Sequence, residues 1–278
     1  MKRKTTPVRV IAFALLLVGA CTMVLPFVWM LSTSLKEANL VYTIPPRWIP
    51  DPVDWDNFKE IWTAANLITG IKNSVLITFT VLTFSTLTTS MAAFAFAKLR
   101  FPGKSVIFMT LLASMMVPAV VLLVPQFIIY TRLRWIDTLL PMIVPASLCN
   151  ISNIFFMRQF IIGLPSGYLD AAMIDGCSYF GAYWRIFLPQ CKPAIVTNAI
   201  MLFMGTWNDY MTPLLFTHSE SKQTIQVAIA MLSSHYEQQT DIPLVMAASL
   251  VALLPVLILF VVCQKYFTDS IAITGIKG

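Results

Sequence analysis

The stretch LDAAMIDGCSYFGAYWRIFLPQCKP, residues 169–193, decides how the chain must be organised. It is too interrupted to cross a bilayer, yet too apolar and helix-prone for a plain connecting loop. Just before it, Pro165 suits a first helical turn, where its missing N–H is not needed. Ser166 and Asp170 favour the N-terminal end of that helix, by hydrogen bonding or by charge. Ala171-Ala172-Met173-Ile174 continues it, and Gly176 can stop it by turning left-handed. Ser178 is a candidate cap for a second helix. Phe180, Tyr183, Trp184 and Phe187 then fall at helical spacing and form one aromatic stripe. Pro189 and Pro193 end that helix and start the next segment. The pattern is helix–Gly–helix with small residues at its tip. A docking element and a partnerless interfacial helix pair both fit it.

Outward from this element the chain is membrane-like. It has 278 residues, 58% of them hydrophobic and 12% charged. Its mean hydropathy is +0.76. A soluble domain carries roughly 25% charged residues, so lipid is the solvent the composition fits. Six apolar segments stand out, at about residues 10–31, 71–97, 106–130, 139–160, 194–216 and 242–264. Each is long enough to cross a hydrocarbon core of ~30 Å as a helix. Helices satisfy the backbone in lipid, and these lengths select them over barrel strands. The first segment follows Met-Lys-Arg-Lys but is long for a signal peptide and lacks an A-x-A-like site, so it is read as a span. The expected fold is therefore all-α: one membrane domain over residues 1–278, with six transmembrane helices.

The positive-inside rule orients it. With the N-terminus cytoplasmic, 12 of the 19 Lys and Arg residues lie inside, among them Lys98, Arg100, Lys104, Arg158, Arg185 and Lys192. Both termini are then cytoplasmic, and FPGK at 101–104 is a tight inner turn on Pro102-Gly103. The long inner connection, about residues 158–193, carries the opening stretch. Two long outer connections, residues 32–70 and 217–241, are polar and aromatic. The first suits either a contact surface for another protein or a lid on the chain's own spans. Pro118, Pro125, Pro141, Pro145, Pro213 and Pro255 lie inside spans, where neighbouring helices can satisfy freed carbonyls.

Several function classes drop out. The net charge of +6 comes from short clusters between apolar runs, not one basic face, so nucleic acid is not a partner. Cys21, Cys149, Cys177, Cys191 and Cys263 have no zinc or CxxC spacing, and His218 and His235 are isolated, so no metal site and no disulfide is expected. Gly103-Lys104-Ser105 ends like a P-loop, but the first Gly of that pattern would fall at Lys98 and no strand precedes it. No catalytic residues and no cofactor are assigned to this chain. A membrane enzyme would need clustered acid, base or metal ligands. A secondary transporter would need intramembrane ionisable groups, and only Asp209 qualifies.

The residues of the inner connection resemble the EAA loop of ABC-importer permeases, E-A-A, three residues, G, nine residues, I-x-L-P. Here the match is Asp170-Ala171-Ala172, Gly176 with Asp175 before it, and Ile186, Leu188 and Pro189; Asp170 replaces the family's Glu. FMGTWNDYMTPLLF at 203–216 is similar to the W-N-D/E segment of carbohydrate permeases of the maltose-type branch. FPGK and the tail Gly275-Ile276-Lys277-Gly278 fit the same branch. The resemblance implies a type I importer permease fold in a bacterial or archaeal cell membrane, paired with a second homologous permease. It also implies two ATPase subunits that bind ATP and Mg, an extracytoplasmic solute-binding protein and a sugar substrate. The EAA loop would be the coupling helix seated in the ATPase. A permease for another polar solute, such as glycerol phosphate, is the closest rival.

For the sugar path, Ser147, Asn150 and Asn153 recur every three residues on the fourth span, and Asn208 and Asp209 follow Trp207 on the fifth. Sugars need such hydrogen-bonding groups in a water-accessible cavity. The same residues could instead tie neighbouring spans together.

Overall fold

In the computed structural model the chain is helical, and it describes residues 7–64, 66–148, 150–234 and 241–274, with side chains to residue 264. Cys149, His235, the basic residues at 2–4 and the tail at 275–278 lie outside these. Among the described residues the helices are α1 (Pro7–Ser34), α2 (Asn57–Ala64), α3 (Leu67–Lys98), α4 (Lys104–Ser114), α5 (Ala119–Arg132), α6 (Leu140–Leu148) and α7 (Ile151–Ile162). They continue as α8 (Gly167–Ile174), α9 (Tyr179–Ala182), a π-helical turn (Tyr183–Phe187), α10 (Leu188–Gln190), α11 (Lys192–Trp207), α12 (Met211–Phe216), α13 (Ile225–Ser234) and α14 (Ile242–Thr274). Four stretches are long and apolar enough to cross a membrane unbroken: Val8–Ser34, Leu67–Lys98, Leu140–Ile162 and Ile242–Gln264. Two bent helix pairs bring the total to six if each is one span.

Several of the apolar segments are bent or interrupted. Between α4 and α5 the axis turns by 100°. Pro118 lacks an N–H and pushes Val117 away from helical geometry, so the ladder cannot run through residues 115–118. The fifth segment is also not one helix. It stops at Trp207, because Asn208 and Asp209 prefer capping to helix interiors, and resumes as α12. The fourth is interrupted after Leu148, and Asn150 caps α7 by accepting the Asn153 N–H at 3.1 Å. Pro255, by contrast, sits inside α14 without breaking it. At residues 102–103 the expected tight turn forms: Gly103 has φ +76° and ψ 1°, the glycine position of a type II turn after proline.

The chain divides into two compact units. One comprises residues 1–67 and 228–254. In it α1 offers its apolar surface outward from Val8 to Val28. The following loop folds back on the end of α1: Ser32 Oγ donates to the Trp48 carbonyl, and the Trp29 and Trp48 rings meet edge-on at 4.9 Å. Asn57 Nδ2 ties α2 to the carbonyls of Ser34 and Lys36, at 3.1 and 3.0 Å. Lys36 is 2% exposed, with its ammonium 4.3 Å from the Trp29 ring centre. Burial pushes its pKa down. Tyr42, Ile44, Ile49 and Trp55 of this loop remain exposed.

The other unit comprises residues 68–227 and 255–278. Its packing follows a four-residue ladder on α3: Ile77, Val81, Ser85, Thr89, Ala93, all buried. Ile77 and Val81 cluster with Met142 of α6 and Leu202 of α11. Ala93 and Phe94 cluster with Met157, Ile161, Tyr183, Phe187, Cys191 and Ala194. Between the two clusters the ladder is polar. On α11 the same rhythm gives Ala194, Asn198, Leu202. Asn198 is 1% exposed, and both atoms of its amide lack a hydrogen-bond partner, as do the Ser85 and Thr89 hydroxyls.

The loop after α12 is fastened twice in this unit. Asp137, before α6, accepts from the backbone N–H groups of His218 and Ser219 at 2.9 and 2.8 Å and from the Ser219 hydroxyl at 2.5 Å. Those bonds lower its pKa from 3.8 to about 2. Asn73 Nδ2 donates to the carbonyls of Ser221 and Gln223 at 3.0 and 2.8 Å.

Candidate functional site

The segment that opened the sequence reading folds as a helix, a left-handed glycine and a second helix. Helix α8 begins at Gly167, two residues later than Pro165 suggests, and the Ser166 hydroxyl makes no capping bond. Its C-terminus closes as a Schellman motif: Cys177 N–H donates to the Ala172 carbonyl at 2.9 Å and Gly176 N–H to Met173 at 3.1 Å. Gly176 has φ +78°, and no atom lies within 4 Å of the position a Cβ would take. Ser178 caps α9 by accepting the Gly181 N–H at 3.1 Å.

The aromatic stripe divides in two. Tyr183 and Phe187 are buried, whereas Phe180 and Trp184 are exposed and stacked on each other. The π-helical turn carries this division, since its wider spacing shifts successive side chains around the axis. The Tyr183 hydroxyl meets Ser90 Oγ of α3 at 2.8 Å. Phe94, one turn on, packs against the rings of Tyr183 and Phe187 at 5.6 and 5.0 Å. Lys98 Nζ donates to the Leu164 carbonyl at 2.6 Å, and Arg158 Nε to that of Phe96 at 3.1 Å. The element is thus bolted to α3 and α7.

The motif residues split between the two faces. Ile186 and Leu188 pack on the core cluster that holds Phe94 and Phe187. Asp170, Ala171, Asp175, Gly176 and Pro189 are exposed. Ala172, expected at the open tip beside Ala171, is instead 3% exposed. Its place at the tip is taken by Ile174, 85% exposed, which the sequence reading treated only as helix filler.

A second feature lies in the same unit, a cavity of about 310 Å³ between α3, α6, α7, α11 and α12. Asn150, Asn153 and Asp209 line it, so three of the expected path residues come together. Ser147 and Asn208 do not. The break after Leu148 interrupts the three-residue repeat and leaves Ser147 buried on α6, where its carbonyl accepts from Thr88 Oγ1 at 2.7 Å. Asn208 is exposed and its amide folds back to the Met204 carbonyl at 2.9 Å. Asp209 Oδ1 accepts the Thr212 N–H at 3.1 Å and so starts α12. Ser74, Ser152, Thr206 and Thr224 complete the polar lining. They are scattered over three helices and the loop before α13, and no spacing in the sequence links them. Among the described residues no group of three or more His, Cys, Asp or Glu could hold a metal.

The profile of the family described as "Binding-protein-dependent transport system inner membrane component" matches residues 85–272. The chain belongs to this family. It is a multi-pass permease component of a transport system, not an enzyme. Among its relatives is the arabinooligosaccharides transport system permease protein AraQ of Halalkalibacterium halodurans, 33% identical over the full length of both chains. The diacetylchitobiose uptake system permease protein NgcG of Streptomyces coelicolor is 28% identical, over 94% of this chain and 87% of that one. In fold the permease matches a chain of a bacterial ABC transporter involved in import of the acidic polysaccharide alginate. The TM-score is 0.82 at 22% identity, covering 96% of this chain and 99% of the other.

Proposed function

We propose that this chain is a membrane-spanning permease subunit of a binding-protein-dependent ABC importer for sugars or oligosaccharides, acting as one permease domain in a prokaryotic cell membrane. A second homologous permease completes the path. Two ATPase subunits, which bind ATP and Mg, drive it, and an extracytoplasmic binding protein delivers the sugar. Both termini and the α8–α10 element face the cytoplasm, where the basic residues concentrate. The exposed residues of that element, Asp170, Ala171, Ile174, Asp175 and Gly176, seat in the ATPase. Ile186 and Leu188 hold it to the spans, and Pro189 stays exposed on the ATPase side.

The observation that carries this reading is the attachment of the element to α3. A displaced tip drags α3 with it, through the Tyr183–Ser90 bond and the rings packed on Phe94. The same helix supplies Ser74 and Ile77 to the cavity. One rigid helix therefore runs from the coupling element to the polar cavity. The sugar specificity follows the relatives and suits the neutral amides and hydroxyls of the lining.

Co-purification tests the assembly. The tagged chain is expected to bring down a homologous permease and an ATPase. Ile174→Glu, at an exposed site, should keep the permease pair and lose the ATPase. Retention of the ATPase by that variant would remove Ile174 from the contact, and absence of an ATPase from the parent would overturn the reading.

A further inference from the structure

The cavity lining is polar, but its charge is one-sided. Asn150, Asn153, Thr206 and Thr224 are neutral, and Asp209 is the ionisable residue among the described lining residues. Lys72 and Lys222, the basic residues nearest in sequence to lining positions, stand outside the lining. Among the described lining residues no Lys or Arg offsets Asp209. Its carboxylate is fixed in place by the Thr212 N–H on Oδ1, which leaves Oδ2 for a ligand hydroxyl. Thr224 points the same way. It is 5% exposed, lines the cavity, and its hydroxyl has no partner in the protein. An unpartnered buried hydroxyl is costly unless a ligand or water completes it.

We infer that Asp209 sets the charge class of the cargo: the cavity admits neutral, hydroxyl-rich ligands and rejects carboxylated or phosphorylated ones. A neutral sugar can donate hydroxyl hydrogens to Asp209 and exchange bonds with the asparagine amides. An anion entering the same space meets a fixed like charge in a medium that screens poorly, and the described lining residues include no arginine or lysine to pair with it. The volume suits a small part of an oligosaccharide at a time, near the lower bound of ligand pockets. The shared fold does not fix this selection, because the structural neighbour serves an acidic polysaccharide; the lining does.

This inference rests on the cavity being part of the sugar path, and the test separates the two. Binding of radiolabelled arabinotriose and of trigalacturonate, a neutral and an acidic trisaccharide, is measured on the full importer complex in nanodiscs without binding protein. The wild-type complex should prefer arabinotriose by about tenfold or more, ~1.4 kcal/mol. Asp209→Asn keeps an acceptor for the Thr212 N–H and removes the charge, and should bring the ratio to within about threefold, ~0.7 kcal/mol. Should that variant assemble poorly, Thr206→Lys applies the same test by adding a cation to the wall, and the ratio must fall likewise. Equal binding of the two trisaccharides by wild type, or an unchanged ratio in the variants, overturns the charge selection alone. Binding of neither overturns the sugar path itself, and the inference with it.

Discussion

The hydroxyls of Ser90 and Tyr183 lie 2.8 Å apart in a buried contact between α3 and the π-helical turn of the α8–α10 element. Both belong to elements that the sequence separates by 93 positions. The bond is therefore a long-range joint, not a local cap. Tyr183→Phe should keep the ring on Phe94 and remove the bond, at about 1 kcal/mol. Phe187→Ala should cost about 3–5 kcal/mol, because it empties the centre of the cluster. Thermal unfolding of the assembled complex orders the two. A larger loss for Tyr183→Phe than for Phe187→Ala would show that the joint is polar, not packed.

Gly176 is required by its backbone, not by crowding. A Cβ there meets open space, while φ +78° is costly for any other L-residue by about 1–2 kcal/mol. Asn, which tolerates this conformation, should be milder than Ala, and a β-branched residue worst. Stimulated ATPase activity of the complex is expected to fall in the order Gly176, Asn, Ala, Val. A wild-type rate for Gly176→Val at normal expression would contradict this.

Acid should loosen the Asp137 latch. The folded pKa of about 2 lies below the ordinary 3.8. A depressed carboxylate contributes stability above the unfolded value and loses it as pH falls through the folded one. Backbone hydrogen exchange at His218 and Ser219 should be slow at pH 4 and above, and accelerate beyond the intrinsic rate change as pH approaches 2. Asp137→Asn should weaken protection at every pH. Protection that ignores pH over this range would show that the Asn73 bonds alone hold the loop.

Asn198 carries a buried amide without a partner, so replacing it with a residue of similar size and no polar atoms removes a desolvation cost. Asn198→Leu should raise stability by about 1–3 kcal/mol. The thermal midpoint of the purified complex reads this directly. A lowered midpoint would mean that internal water or a movement of α11 satisfies the amide, and that the polar layer is maintained for the transport cycle.

Much of this architecture was legible because its signals are local. Hydrophobic run length found the four unbroken apolar spans, and Pro102-Gly103, Gly176 and Ser178 turned and capped the chain where their own geometry requires it. Both Pro118 and Pro255 read as possible helix breakers, but which one breaks its helix was not legible, since neighbours decide that: the chain turns by 100° after Ser114 and runs on through Pro255. The stripe at Phe180–Phe187 looked continuous because a 3.6-residue period was assumed through a π-turn. The same limit put Ser147 on the face of Asn150 and Asn153. The cavity was half legible: Asn150, Asn153 and Asp209 are amphipathic anomalies in apolar runs, whereas Thr206 and Thr224 look like any threonine near a membrane boundary until the fold brings them to one wall.

In the proposed importer, ATP-driven movement of the α8–α10 element opens a sugar path beside α3. ATP-dependent uptake of radiolabelled arabinotriose by the reconstituted importer tests it most directly, with binding protein outside and wild type compared with Gly176→Val. Wild type should accumulate sugar only when ATP and binding protein are both present, and the Gly176→Val complex should assemble yet fail to accumulate it. Absence of uptake of this or any neutral oligosaccharide by wild type, or equal uptake by the assembled Gly176→Val complex, would contradict it.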